Sequence, residues 1–288
     1  MRLGRALALA AWTTLAGAVL PGAAAAQFLP AQPDGYLMTI DASDARALWV
    51  NPAGLARRDE ASVGVDVAMK HSSLATRLSQ YGVLLSSHHL AFGWSHNRLP
   101  LGTFGGGNAA GPPRVTNVYA IGIGLGDSVF SAGAAKRWYR GDARSSAWNV
   151  GTRAALSPHF DVAVDWRDIG SPIVIDTMLE ETVVPAVGIT LLGGRLRGAV
   201  EWHIAKSHWK TREIRTGWTV RVRERLAFSL RTDLTPGLGR LRTAIAAEWG
   251  FRRTRLDLFT SRQGVTDTET LGAGLVAASE PPRARRRR

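Results

Sequence analysis

From Ala61 onward the chain alternates with period two. The first segment sets the pattern, with Val63, Val65, Val67 and Met69 alternating with Gly64, Asp66, Ala68 and Lys70. In an extended strand such a segment carries one apolar face and one small or polar face. Comparable segments follow at Thr76–Leu85, His89–Arg98, Val115–Leu125, Val129–Tyr139, Ser146–Leu156, Phe160–Arg167 and Val183–Leu192. Six more run over Arg195–Ala205, Glu213–Arg223, Arg225–Asp233, Arg240–Phe251, Arg253–Ser261 and Thr270–Ala278, so that with Ala61–Lys70 there are fourteen. Residues 61–279 shared among fourteen strands leave about sixteen residues for each strand with its connection, room for the roughly nine to eleven residues that cross a bilayer tilted, plus a turn. The apolar run near the start is only about fifteen residues long, and no later run reaches the roughly eighteen that mark a membrane helix. A chain like this spans a membrane as a closed barrel or not at all.

The connections alternate in length. Arg98–Arg114, Asp168–Thr182, Lys206–Arg212, Thr232–Gly239 and Arg262–Glu269 are long, whereas Gly126-Asp127-Ser128, Gly193-Gly194 and Arg223-Glu224-Arg225 are tight. Bacterial barrels keep short turns at the periplasmic end and longer loops outside, while a soluble sandwich has no reason to keep that phase. The faces agree. One carries Leu196, Val200, Trp202 and Ile204, then Trp218, Val220 and Val222, then Leu226, Phe228 and Leu230. The other carries Glu201 and His203, Arg215, Arg231, Arg240, Arg242, Glu248 and Asp257. Charges facing lipid at the midplane would cost about 2–4 kcal/mol each, so this second face should line a lumen. Trp94, Trp202, Trp218 and Trp249 are candidate interface anchors.

The expected organisation is a signal peptide over residues 1–26, a plug segment over 27–58, an all-β, 14-stranded antiparallel transmembrane β-barrel over 59–279 and a basic tail over 280–288. Arg2 and Arg5 precede an apolar stretch from Ala6 to Leu20, with the small residues Ala24, Ala25 and Ala26 before Gln27, the arrangement of a secretory leader. Cysteine is absent, which rules out a disulfide framework and thiolate chemistry. The formal charge of +13, or +11 without Arg2 and Arg5, would in the cytoplasm point to nucleic acid. In an exported chain the counter-charges are outer-membrane lipid, lipopolysaccharide phosphates or anionic solutes, with no nucleic acid.

The stretch from Asp41 to Ala56 stands apart from the strands. Asp41 or Ser43 can cap a short helix over Ala42–Trp49, Pro52 pushes Asn51 out of the helical region, and Gly54 permits a turn toward the first strand. Its residues Trp49, Asn51, Pro52, Ala53 and Gly54, with Ala45, Ala47, Leu55 and Ala56, resemble the N-terminal signature of outer-membrane barrels of the FadL-like and PorV/PorQ-like group. Val162–Pro172 and the Val184-Pro185 step are similar to the PorV/PorQ side of that group, which usually carries Asn where this chain has Asp168. The resemblance implies a fourteen-stranded barrel in the bacterial outer membrane whose N-terminal hatch lies inside it. On the FadL-like side it implies uptake of hydrophobic compounds. On the PorV-like side it implies a non-transporting barrel that binds exported proteins in a secretion system.

No catalytic constellation emerges. Ser86-Ser87-His88-His89 falls in an expected turn without an orienting carboxylate, His71, His96, His159, His203 and His208 lack metal-ligand spacing, and Gly102–Gly107 lacks the Lys-Ser/Thr of a phosphate cradle. The chain is therefore expected to be no enzyme, with no cofactor and no metal. The tail from Pro281 to Arg288 reads as a solvated extension or a contact for anionic partners. Arg195, Arg197, Arg221, Arg223, Arg225, Arg253 and Arg255 all fall near the short-turn ends of their strands. Together they should form a cationic rim at the lumen, some members paired with Glu201, Glu224 and Asp257, the rest free to meet a carboxylate or phosphate.

Overall fold

The computed structural model describes residues 33–57, 61–72, 75–99, 114–141, 144–174, 177–263 and 268–279. The strands are β1 (Ser62–Ser72), β2 (Ala75–Ser87), β3 (Leu90–Leu99), β4 (Arg114–Gly126), β5 (Phe130–Gly141), β6 (Arg144–Ser157), β7 (Phe160–Ile169), β8 (Ile173–Val174) and β9 (Thr177–Met178). They continue with β10 (Thr182–Leu191), β11 (Leu196–Ala205), β12 (Lys210–Arg223), β13 (Leu226–Leu234), β14 (Arg240–Phe251), β15 (Thr254–Gln263) and β16 (Thr268–Ala278). Fourteen of them form one closed antiparallel barrel, each paired with its sequence neighbour, and β7 pairs β10 directly across the small β8–β9 hairpin. Closure comes from β1 and β16, in register from Ser62 opposite Ala278 to His71 opposite Glu269. Closure leaves no strand edge unpaired, which is what a backbone in hydrocarbon requires.

The apolar face points outward. Val63 and Met69 are 52% and 43% exposed, and Phe92, Ile123, Val150, Phe228, Ile245 and Leu258 on other strands are exposed as well. The alternate, inward face carries the small, polar and charged residues. In water this inversion would leave a wide apolar band exposed, whereas in a bilayer the band meets lipid. Trp218 and Trp249 lie on it, with Trp249 stacked on Phe251 at 4.8 Å.

At one end the connections are tight: His88–His89 with both φ positive, the Asp127 turn, Pro158–His159, Leu192–Arg195, Glu224–Arg225 and Arg252–Arg253. Asp127 accepts hydrogen bonds from Val129 N and Phe130 N at 2.7 and 2.9 Å, closing its turn locally. The opposite end is longer on average, but the β1–β2 and β5–β6 connections shrink to residues 73–74 and 142–143, and the expected long connection Lys206–Arg212 shrinks to the four residues 206–209. There the ladder runs past the expected strand ends, since each added residue pair gains its backbone hydrogen bonds. The long Asp168–Thr182 connection likewise contains the β8–β9 hairpin.

Residues 33–57 lie inside the barrel and supply much of its core. They form one helical turn at Pro33–Tyr36, a second at Ala47–Val50 and a 3-10 stretch at Pro52–Arg57. The expected helix over Ala42–Trp49 is thus reduced to a single turn without a side-chain cap. Asp41, one of the two expected caps, is drawn to a wall arginine instead. Asn51 is extended, as the following proline demands. Gly54 has a different role from the expected turn: a Cβ there would lie 2.2 Å from Ala42 O, so it allows two stretches of this segment to touch. The leader, residues 27–32 and 58, the Gly102–Gly107 loop and the basic tail lie outside the described residues.

Candidate functional site: the barrel lumen

The interior is built in three parts. The first is a seat made of glycines. Trp49 is 1% exposed and packs with Leu48, Val50 and Leu55 against the inner face of β3–β6. A Cβ added to Gly93 would meet Trp49 Cζ2 at 2.4 Å, at Gly122 Leu48 Cδ1 at 2.7 Å, and at Gly124 Ala56 N at 2.4 Å. At Gly133 it would meet Pro52 O at 2.3 Å, and at Gly151 the Asn51 side-chain oxygen at 1.9 Å. The wall thus lacks side chains where the Asn51-Pro52-Ala53-Gly54 stretch approaches it most closely. Arg137 completes the seat, donating to Trp49 O at 2.8 Å with its guanidinium 5.7 Å from the indole ring.

The second part is a charge network on the other side of the lumen. It uses acid–base pairs two residues apart on one strand face: Asp165 with Arg167 at 2.6 Å, Glu201 with His203 at 2.9 Å, Arg231 with Asp233 at 2.8 Å, and Glu213 with Arg215. These side chains then reach residues 33–50. Arg167 donates to Asp34, to Thr39 Oγ1 and to Val50 O, each at 2.9 Å. Arg231 donates to Asp34 O at 2.8 Å and to Leu37 O at 3.1 Å, and Glu201 accepts Thr39 N at 2.7 Å. Backbone groups that a longer helix would have paired internally are satisfied by the wall. Burial alone would raise the pKa of Asp34, but the guanidiniums of Arg167, Arg215 and Arg231 outweigh it and leave it lowered. Burial acts the same way on Asp44, where Arg255 and Arg46 hold the carboxyl well below its usual range.

The third part is an open cavity of about 1990 Å³ at the short-turn end, beneath residues 36–46. Leu37, Met38 and Leu55 form its apolar ceiling. Its wall is polarised. Ser62, Ser86, Ser87, His89, His159 and Arg153, which is paired with Asp161, lie on one side, and all seven rim arginines line the other arc together with Glu224 and Glu248, on β11–β15 and their turns. Two of the seven are not free: Arg197 holds Asp41 and donates to Asp161 at 2.7 Å, and Arg255 donates to Asp44 at 2.6 Å. Arg255 also lies 3.5 Å from Asp257, whereas Glu201 is taken by His203 and Arg215. Among the described residues, Arg195, Arg221, Arg223, Arg225 and Arg253 have no ion-pair partner. Glu224, expected to pair with the rim, lines the same arc but makes no ion pair with these arginines among the described residues. Five unpaired guanidiniums on one arc set up a field that draws anions.

Ser87 and His88 touch at 2.7 Å within the exposed β2–β3 turn, and among the described residues no cluster of three metal-ligating side chains forms.

The barrel can be set beside known structures. The CymD monoaromatic hydrocarbon channel superposes with a TM-score of 0.54 over 86% of this chain and 96% of that one, at 9% identity. The fold is that of FadL-like outer-membrane barrels. A Pseudomonas aeruginosa FadL homologue gives a TM-score of 0.49 at 11% identity over 83% and 94% of the two chains. The P. putida toluene transporter TodX gives 0.44 at 11% identity over 82% and 92%. Neither a protein-family model nor a curated protein sequence matches the chain.

The residues that sequence reasoning missed are the network side chains Asp34, Thr39, Arg137 and Arg167, and the seat glycines; Arg231 was read as lumen-facing but not as a tie to the interior segment. Two signals in the sequence pointed to Arg167, Arg231 and the glycines, and none to Asp34, Thr39 or Arg137. Asp-x-Arg, Glu-x-Arg, Arg-x-Asp and Glu-x-His triplets place opposite charges on the same strand face. Glycine inside an otherwise good strand marks the close approach of another backbone.

Proposed function

We propose that this chain is an outer-membrane transport barrel for small anionic or amphipathic molecules, with residues 27–58 as its plug and the arginine arc as its anion-binding mouth. The outer apolar band then sits in lipid and lipopolysaccharide, and the short-turn end faces the periplasm. The observation that carries the reading is the set of five unpaired arginines around a cavity with an apolar ceiling. A forked guanidinium suits a carboxylate or phosphate head, and Leu37, Met38 and Leu55 suit an apolar tail. In planar bilayers the open barrel is expected to be anion-selective, with the preference diminished in R221Q/R223Q/R253Q. Cation preference, or a reversal potential unmoved by the triple change, refutes the role of the arc.

A second reading draws on the opposite end. Trp209 and Met178 are 70% and 64% exposed there, with Ile173 and Leu238 also exposed on neighbouring loops. Such apolar tips suit a PorV/PorQ-like barrel that holds an exported protein. Replacing Trp209 and Met178 by Ser should abolish that binding while leaving conductance intact.

A further inference from the structure

On β3–β6 the outward side chains fall into rows fixed by the strand register. Trp94, Tyr119 and Trp138 stand side by side in one row. The next row toward the long connections reads Tyr81, His96, Asn117, Arg140 and Arg144. Arg98 stands two residues beyond His96 on the same face. An aromatic row on a barrel wall marks the level at which hydrocarbon gives way to headgroups. These three arginines therefore sit at headgroup height on the outside of the barrel, apart from the lumen.

Among the described residues nothing neutralises them. Residues 90–157 contain two carboxylates, Asp127 and Asp142. Asp127 closes its turn at the opposite end, and Asp142 lies outside the described residues. Arg98, Arg140 and Arg144 are exposed, and among the described residues none has an ion-pair partner. Elsewhere at this end the cations have carboxylates: Arg212 pairs with Glu180, Lys206 lies 2.7 Å from Glu181, and Arg262 stands opposite Glu269. Arg140 and Arg144 instead face each other across their hairpin, where like charges repel. Arg140 is nonetheless held in place, its Nη1 donating to Tyr139 O at 2.9 Å and to Ser145 O at 3.2 Å, with Nε and Nη2 left for a ligand. His96 is fixed beside them, with Nδ1 3.0 Å from Asn117 Oδ1 and its ring stacked on Tyr81 at 4.7 Å. An anion set between the two opposed guanidiniums would turn their repulsion into attraction.

We propose that this outward patch binds a phosphorylated glycolipid of the outer leaflet, the lipid anchor of lipopolysaccharide. One phosphate lies between Arg140 and Arg144 and the other toward Arg98, while the acyl chains run along Trp94, Tyr119 and Trp138. From His96 to Arg144 the row spans three strand spacings, about 14 Å. A headgroup with phosphates at the two ends of a disaccharide engages both ends of it, whereas a lipid with a single phosphodiester engages one. Lys136, four residues before Arg140 on the same face and 5.0 Å from the Trp148 ring, adds a cation beneath the row. The site rests on the orientation given above, with the long connections outside, and is separate from the arginine arc of the lumen.

Native mass spectrometry of the full-length barrel in non-ionic detergent counts the lipid bound, with diphosphoryl lipid A, its dephosphorylated form and phosphatidylglycerol as probes. Diphosphoryl lipid A should bind about a hundredfold more tightly than the dephosphorylated form, and R98Q/R140Q/R144Q should lose that advantage, each cation at a lipid surface contributing roughly fivefold. K206Q/R212Q, whose cations are already paired, should bind as the unaltered barrel does. Equal binding of the two forms, phosphatidylglycerol held as tightly as diphosphoryl lipid A, or undiminished binding by the triple variant overturns the site. The comparison of probes uses the unaltered protein, so it stands even if the triple variant fails to assemble. In planar bilayers R98Q/R140Q/R144Q should keep the reversal potential of the unaltered barrel. Indifference to the lipid's phosphates with anion selectivity intact overturns this site alone, whereas a cation-selective barrel that still prefers the phosphorylated form overturns the reading of the arc alone.

Discussion

Gly133→Ala should dislodge the interior segment without opening the barrel. The new Cβ would lie 2.3 Å from Pro52 O, 2.4 Å from Pro52 C and 2.7 Å from Ala53 N. All three are backbone atoms, so no rotamer change relieves the clash and the segment must move by about 1 Å to reach ordinary contact distances. That movement stretches the Arg137 hydrogen bond to Trp49 O, now 2.8 Å. Overpacking costs about 1–3 kcal/mol, and a charge-assisted hydrogen bond contributes about 1.5–3 kcal/mol, so the seat should lose roughly 3–5 kcal/mol. Gly250→Ala is the control, because its Cβ would meet nothing nearer than 3.7 Å and should stay within about 0.5 kcal/mol. In a Leu48→Cys background, maleimide labelling should be about a hundredfold faster or more in Gly133→Ala than in Gly250→Ala. Both variants should keep the heat-modifiable gel mobility of a closed barrel. Equal labelling in the two would refute the glycine seat.

Arg167→Met removes a side chain that satisfies Asp34, Asp165, Thr39 and Val50 O. Stranding those buried acceptors should cost about 3–5 kcal/mol, seen as earlier loss of heat-modifiable mobility on warming. Acid should loosen the segment: the lowered pKa values of Asp34 and Asp44 mean that their contribution is complete above their usual value of 3.8 and is lost as pH falls below it. Pepsin cleavage within residues 33–57 should therefore rise steeply below pH 3.8, and a flat profile would count against the charge network. A protease site inserted at Gly237 should be cut on intact cells, while one at Gly193 should resist until the outer membrane is breached. The reverse pattern would invert the barrel.

How much was legible beforehand differs between wall and interior. The strands could be read because a lipid-facing wall imposes strict alternation, and Val63, Val65, Val67 and Met69 obey it without interruption. The tight turns could be read because Gly193-Gly194 and Gly126-Asp127 carry their backbone geometry in their residue types. The helix over Ala42–Trp49 could not be sized. Its local capping chemistry was overruled by Arg197, more than 150 residues away, which claims Asp41. The seven arginines were legible as positions near the short-turn end, and all of them line one cavity there. Which members are free was not, because pairing depends on what the interior segment brings to them. The glycine seat was written in the strands but meaningful only once something was known to lie against them.

Transport itself is most directly tested by flux into proteoliposomes. The purified barrel should carry a short-chain alkyl phosphate or carboxylate into the lumen of the vesicle faster than empty liposomes do, and R221Q/R223Q/R253Q should slow it. A barrel that is folded by heat-modifiability yet passes these solutes no faster than protein-free vesicles would contradict the account and leave the protein-holding reading in its place.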